Sequence, residues 1–312
     1  MKLNINFDFS NLFHKSYHVT KHMKKDFDLS KDTHYATFIR KLFIDFCATV
    51  RFLSDGHTIN NIFICFDDGT FRKDFCDKYK ASRLPKEQDF YKAMDECYKI
   101  FHSKKLNALR ITGLEADDLV GLVSRASSSD ILNIIVSMDE DTHQLVSNNT
   151  IIYNNNSQKK KIFIHGTQSG INVKNYLEQQ FKNEIPITLI SPFEILMQKV
   201  FLGCEGDEVQ RLLPKGKGQS LINKVLKKQN LLWANVIDDD EIVFQLIDMC
   251  QHLDLMYDAD EIFLQMVRVC LHQLYYPEEL VDQFNSLPIF AFVPIEFKMS
   301  NLLSETKYIH YI

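Results

Sequence analysis

From Gly113 to Val120 the chain reads Gly-Leu-Glu-Ala-Asp-Asp-Leu-Val, which puts Glu115, Asp117 and Asp118 side by side ahead of an apolar run. One reading is an acidic first turn of a helix, where the macrodipole favours negative charge and Leu119, Val120, Leu122 and Val123 form the buried face. Acidic residues elsewhere support another. Asp8, Asp67 with Asp68, and Asp139 with Asp141 each follow a short apolar run. Carboxylates gathered by folding repel one another unless cations sit between them. Oxygen ligands with no His or Cys among them favour magnesium or manganese over zinc.

The elements that must carry these groups are readable from periodicity. Leu3 to Phe7 alternates and predicts a strand that delivers Asp8 at its end. Phe9-Ser10-Asn11 then turns the chain, and a helix begins at Leu12, followed by a polar loop over 20–33. Phe38, Ile39, Leu42, Phe43, Phe46 and Val50 have helical spacing. Asn61 to Phe66 and Ile131 to Val136 are unbroken apolar runs, the mark of strands buried on both faces of a parallel sheet. Further strands are predicted at Thr150–Tyr153 and Lys161–Ile164. Strand–helix alternation of this kind implies an α/β fold with a doubly wound, mostly parallel central sheet. Ligands gather at the C-terminal strand ends in such sheets, and the three acidic groups all fall there. Convergence at one edge favours the divalent-metal reading over the helix cap.

The net charge of −5 hides an uneven distribution. Residues 71–110 hold eleven Lys/Arg against six Asp/Glu, and 215–228 hold five lysines and no acid. Residues 229–267 hold nine acids and no Lys or Arg. Two basic patches and one acidic lobe suit a molecule with one face for a polyanion, although each patch alone also fits a solvated helix face. Seven cysteines without a Cys-x-x-Cys spacing suggest neither a disulfide framework nor a zinc site, and a reducing cytoplasm suits them. Asp8 interrupts the first apolar run too early for a secretory leader, and no segment has the length of a membrane span.

Ser191-Pro192 opens a helix that leads to Gly203-Cys204-Glu205-Gly206-Asp207. Leu213-Pro214-Lys215-Gly216-Lys217-Gly218 follows, ahead of a helix from about Gln219. Paired glycines before a helix offer backbone amides to an anion, and Lys215 and Lys217 add charge. A plain tight turn between helices is the competing reading.

Taken together, these blocks resemble the 5′-nuclease family: flap endonucleases, the 5′-nuclease domain of DNA polymerase I, and phage-type 5′-exonucleases and ribonucleases H. The first block is Asp8 with Leu12 and Lys15, where the family more often has Arg at the last position. Phe66-Asp67, Phe71-Arg72 and Tyr79-Lys80-Ala81-Ser82-Arg83 resemble the second, Glu115-Ala116-Asp117-Asp118 the third, and Asp139-Glu140-Asp141 with Gln144-Leu145 the fourth. The fifth departs from Gly-Asp-x-Ser-Asp-Asn: Asp207 is kept, while Cys204 stands in the place of the other acid. A thiol is a poor magnesium ligand, so Glu205 or Glu208 substitutes or the second ion is held more loosely.

The resemblance implies a PIN-like 5′-nuclease core over 1–185 with a helical arch at 71–110. A helical DNA-binding region would fill 186–312, with a helix-hairpin-helix near 203–228 and an acidic C-terminal lobe. It implies two Mg2+ ions, replaceable by Mn2+, with Asp8, Asp67, Glu115 and Asp117 on the first and Asp139, Asp141 and Asp207 on the second. Asp118 would support its neighbours or cap the helix. Lys80 and Arg83, one helical turn apart, would clamp the scissile phosphate, while Lys15 and Arg72 position the backbone. Tyr79 would join Phe75, Phe90 and Tyr91 as candidate stacking residues, and Lys215, Gly216, Lys217 and Gly218 would grip duplex phosphates beside a K+ ion. The implied partner is DNA with a 5′ flap, a nick or an RNA primer, served by a cytoplasmic monomer working with replication proteins and without a membrane. Two alternatives remain beside this one: a structure-specific DNA-binding protein with weakened catalysis, and a PIN-type ribonuclease.

Overall fold

The computed structural model describes residues 1–156, 160–166, 169–181, 185–229, 259–271 and 275–290. Its centre is a seven-stranded sheet in the order β3-β2-β1-β4-β5-β6-β7. The strands are β1 (Lys2–Asp8), β2 (Thr58–Cys65), β3 (Asn107–Leu109), β4 (Leu132–Val136), β5 (Thr150–Asn154), β6 (Lys161–His165) and β7 (Ile187–Ile190). All adjacent pairs are parallel except β5 with β6. The chain runs outward from β1 in both directions, so the expected doubly wound α/β architecture is present.

Helices cover both faces. On one lie α1 (Phe9–Met23), α2 (Asp32–Ser54), α4 (Gln88–Ser103) and α6 (Ile171–Gln180). Leu3, Ile5 and Phe7 of β1 pack there with Phe38, Phe43, Phe46, Phe90 and Phe101. Phe7 and Phe46 bring their ring centroids to 4.5 Å. The other face carries α5 (Ala116–Ala126), α7 (Pro192–Leu202) and α9 (Ala259–Val269). Leu119 and Val120, Met197 and Phe201, and Met266 and Val267 enclose Ile135 and Ile152 there.

The alternation of β1 has an origin that its pattern conceals. Asn4 and Asn6 are buried under α5 instead of facing water. The Asn6 amide donates to Ser124 Oγ at 3.1 Å, and that of Asn4 donates to Ser127 Oγ at 2.9 Å and Asn133 Oδ1 at 3.2 Å. Buried amide N–H groups need such acceptors, which the serines at the end of α5 and Asn133 supply, while Asn6 Oδ1 has no partner among the described residues.

Several boundaries differ from the sequence-based expectation. The helix expected at Leu12 begins at Phe9, because Asp8 caps it by accepting from the Asn11 N–H, and it runs on to Met23 through part of the expected loop. The short strands β3 and β7 and the weakly amphipathic α6 carry too little pattern to show in the sequence. The boundary expected at 185/186 falls inside the sheet, since β7 lies beyond it and α7 packs on the same face as α5. Over 71–110 the chain forms α3 (Arg72–Phe75), a turn-rich stretch to Glu87, α4 and β3. Phe90, Met94, Cys97 and Phe101 root α4 in the core, so 76–87 is the stretch that stands off the sheet.

The helix expected from Gln219 begins earlier, as α8 (Lys215–Gln229), and takes both glycines into its first turn. Gly218 N–H donates to Pro214 O at 2.9 Å. A Cβ at Gly218 would lie 2.4 Å from Leu202 Cδ2, so this glycine lets α8 approach α7 closely. The helix α10 (Glu278–Asn285) lies against the α5 face. The acidic lobe falls outside the described residues from 230 to 258, as does the tail beyond 290. No helix among the described residues is long and apolar enough to cross a membrane.

Candidate metal centre

Parallel pairing sets the site. Asp8 closes β1 opposite Cys65, the last residue of β2, and Asp67 follows two positions later. Asp139 stands three residues after the end of β4, ahead of a 3-10 turn that carries Asp141. All four groups therefore meet on the C-terminal edge of the sheet. The N-terminus of α5 is drawn onto the same edge, where the Ala116 N–H donates to Asp67 Oδ1 at 2.7 Å.

The carboxylates are held by neutral donors and by one another's backbone. Asp8 accepts from Asn11 N–H at 3.0 Å and from Ser137 Oγ at 2.8 Å. Burial, followed by repulsion from Asp67, pushes its pKa up to about 7. Asp67 is exposed at the rim of the edge yet crowded by neighbouring groups, so desolvation raises it, with Glu115 adding repulsion. Asp117 is raised well above the ordinary range by burial, then by Asp118 and Glu115. Among the described residues no ion pair reaches Asp8, Asp67 or Asp117. Unbalanced negative charge on oxygen donors is the chemistry that a hard divalent cation satisfies, so this group fits such an ion.

Glu115 joins the edge to the basic segment. Its carboxylate accepts from Tyr79 Oη at 2.9 Å and pairs with Lys80 Nζ at 2.5 Å and Arg72 at 3.3 Å. Burial works against the charge on Lys80, but Glu115, Tyr79, Asp117 and Asp207 hold its ammonium well above the usual range. Lys80 has a left-handed backbone, φ 52°, which aims its side chain at the carboxylates. This conformation also ends any helix, so the helix face expected for Lys80 and Arg83 does not form. Both reach Asp207 from successive turns instead, at 3.5 Å and 2.9 Å.

Two expected nucleic-acid contacts are corrected by burial. Arg72 keeps 1% of its surface and binds Asp118 through two hydrogen bonds, of 2.8 and 2.7 Å, so a phosphate cannot reach it. Asp118 in turn caps α5 by accepting from the Glu115 N–H, the supporting role expected of it. Tyr79 is buried and positions Glu115, which leaves no face for a base to stack on. Phe90 is likewise in the core, while Phe75 and Tyr91 are exposed. Lys15 donates to the backbone and side-chain oxygens of Asn155 at 2.6 and 2.8 Å.

A second group forms where α7 meets the 3-10 turn. Ligand atoms of Asp141, Cys204 and Asp207 lie within 4.8 Å of one another. Gly203 makes this loop possible: its φ is +72°, and a Cβ there would lie 2.5 Å from Val209 O. Cys204 Sγ donates to Asp207 Oδ2 at 3.4 Å. Burial pushes Asp207 up, but Lys80 and Arg83, with hydrogen bonds, bring it below the ordinary range. Burial raises Asp141 to about 6 against the pull of Lys199, with repulsion from Asp139 and Asp207 adding to it. Glu208 accepts from the Ser82 N–H at 2.7 Å and thus holds the turn at 80–83, while Glu205 is exposed. Lys199 Nζ donates to Asp141 Oδ1 and lies 3.9 Å from Cys204 Sγ. Sequence reasoning misses this residue, although a lysine among Met197, Val200 and Phe201 of an apolar helix is a readable signal. Ser137, which donates to Asp8, and Ser10, whose Oγ accepts from the Asp67 N–H at 2.9 Å, escape it as well, because isolated serines carry no pattern.

Residues 5–176 match the family model of the 5′-3′ exonuclease N-terminal resolvase-like domain. A 5′-3′ exonuclease of Mycoplasmopsis pulmonis is 31% identical over 155 residues, covering 49% of this chain and 48% of the relative. One from Buchnera aphidicola is 30% identical over 105 residues, covering 33% and 37%. The match therefore spans about half, or less, of these relatives' length. Among solved structures, the T5 5′-exonuclease with divalent metal ions (zinc) bound has a TM-score of 0.53 at 14% identity, covering 91% of this chain and 97% of its own. At that identity the likeness concerns the fold.

Proposed function

The chain belongs to the 5′-3′ exonuclease family, and on that premise we propose that it is a structure-specific 5′ nuclease, acting on phosphodiesters at a 5′ flap, nick or RNA primer in DNA replication or repair. The observation that carries this reading is the meeting of Asp8, Asp67, Glu115, Asp117, Asp139, Asp141 and Asp207 with Lys80 and Arg83 on one sheet edge. A hydrolase of phosphodiesters needs cations at such carboxylates and donors for the phosphate oxygens.

In this reading Asp8, Asp67, Glu115 and Asp117 hold a divalent ion, Mg2+ with Mn2+ able to replace it. Asp139, Asp141 and Asp207 face the place of a second. A divalent ion held by the first set would activate water and neutralise charge on the phosphate. Ser137 and Asn11 orient Asp8, the α5 amide of Ala116 orients Asp67, and Tyr79 orients Glu115. Lys80 and Arg83 supply fixed positive charge from 76–87, where a 5′ end would enter past Tyr91. Arg83 is the more open of the two, with 56% of its side chain exposed, and suits the flanking phosphate. The first turn of α8 offers the Gly216 and Lys217 amides and the Lys215 and Lys217 side chains to duplex phosphates as half of a helix-hairpin-helix, with K+ a candidate there. The buried Gly218, its N–H given to Pro214 O, seats the helix on α7.

The test is cleavage of 5′-labelled flap, nicked and RNA-primed duplexes with magnesium, with manganese and with chelator. Metal-dependent cleavage close to the 5′ junction is expected. Binding without cleavage would instead indicate a catalytically silent DNA-binding protein, and cleavage confined to single-stranded RNA would indicate a PIN-type ribonuclease.

A further inference from the structure

The two carboxylate groups differ in how their charge is balanced. In the first group Glu115 pairs with Lys80 and Arg72, but Asp8, Asp67 and Asp117 have no ion pair among the described residues. In the second, Asp207 pairs with Lys80 and Arg83, and Asp141 pairs with Lys199. The Lys199 side chain is 13% exposed and Asp141 is 16% exposed, so this pair is largely shut from water. The third member of the group, Cys204, is a thiol that donates to Asp207 and brings no charge.

Resting on the metal reading above, we infer that the Lys199 ammonium takes the place of a second divalent ion. The chain then holds one ion tightly, at Asp8, Asp67, Glu115 and Asp117, and provides the other positive charge from α7. A divalent ion entering between Asp141, Cys204 and Asp207 would lie beside an ammonium already bonded to one of its ligands. Like charges at that distance repel, and the thiol offers a hard cation little in return. Lys199 is suited to the position. It leaves the helix between buried Met197 and Val200, and its ammonium ends on Asp141, close to Cys204. Unlike an exchangeable ion, this charge is present before any metal binds.

The test is a Mn2+ titration of the full chain, followed by electron paramagnetic resonance of the free ion, without nucleic acid. Wild type should bind one ion tightly and a second at least about tenfold more weakly, if at all. Lys199→Gln should tighten the second ion at least about tenfold, Cys204→Asp should tighten it as well, and Lys199→Arg should leave it weak. Two ions of equal affinity in wild type would overturn the inference while leaving the metal reading intact. So would a folded Lys199→Gln protein with unchanged second-ion affinity. Wild type that binds no Mn2+ would overturn the metal reading and the inference together.

Discussion

Arg72 carries a full charge with 1% of its surface exposed, and Asp118 beside it has none exposed. The pair survives because two direct hydrogen bonds, with Glu115 and Cys270 O nearby, use the guanidinium's donors. Removing one partner strands the other. Arg72→Met is expected to cost about 3–5 kcal/mol in denaturant unfolding, since Asp118 would be buried without a counter-charge. Asp8 shows the opposite condition, a buried carboxyl that no ion pair reaches among the described residues. Its folded pKa of about 7 lies above the ordinary 3.8, so the folded chain holds the proton more tightly. The stabilisation from that proton is complete below about 3.8 and is lost as pH rises through about 7. In chelator, melting temperature is therefore expected to increase from pH 8 towards pH 6, and saturating magnesium should flatten the profile. A chelated profile that falls over the same interval would contradict the assignment.

At the scale of elements, the long and strongly patterned pieces are legible in the amino-acid sequence itself. The central strands, α2, α5 and α7 follow from apolar spacing, and their carboxylates from position at strand ends. What escapes is physically instructive. β3 has three residues, and β7 exposes alternate side chains at the end of the sheet, so neither carries a buried run. Lys80 and Arg83 stand three apart, a helical interval, yet the left-handed Lys80 backbone is a tertiary choice that spacing cannot show. Arg72 and Tyr79 belong to a segment whose charge advertises a surface, although these two residues turn inward. The Gly203 corner gives the next expectation: Gly203→Ala is expected to cost at least about 1 kcal/mol, because of its positive φ and the Val209 carbonyl. Cleavage should fall with it as Asp207 shifts. For α8, Lys215→Ala with Lys217→Ala should weaken binding of all duplexes alike. The slope of log affinity against log salt should fall by up to about 2 if each lysine neutralises one phosphate. An unchanged slope would leave α8 a packing helix whose Gly218 serves Leu202.

For the molecule as a whole, the charge distribution and the sheet agree. The chain carries a net −5, yet its C-terminal strand edge gathers Lys80, Arg83 and Lys199 around a ring of acids. Such an edge attracts both a cation and a phosphate, each making the other's charge tolerable. The convergence of the acids is legible because parallel strands must end together; the partners that tune them are not, since Ser137, Tyr79 and Lys199 arrive through packing alone. The most direct test of the central claim, that these carboxylates hold a catalytic cation, is Asp117→Asn in the flap-cleavage assay beside its own melting curve. The variant is expected to fold and to melt in chelator at or above the wild-type temperature, because one repelling charge is gone. Its magnesium-dependent cleavage should drop by at least about a hundredfold. A folded Asp117→Asn protein that cleaves at close to the wild-type rate would contradict the account.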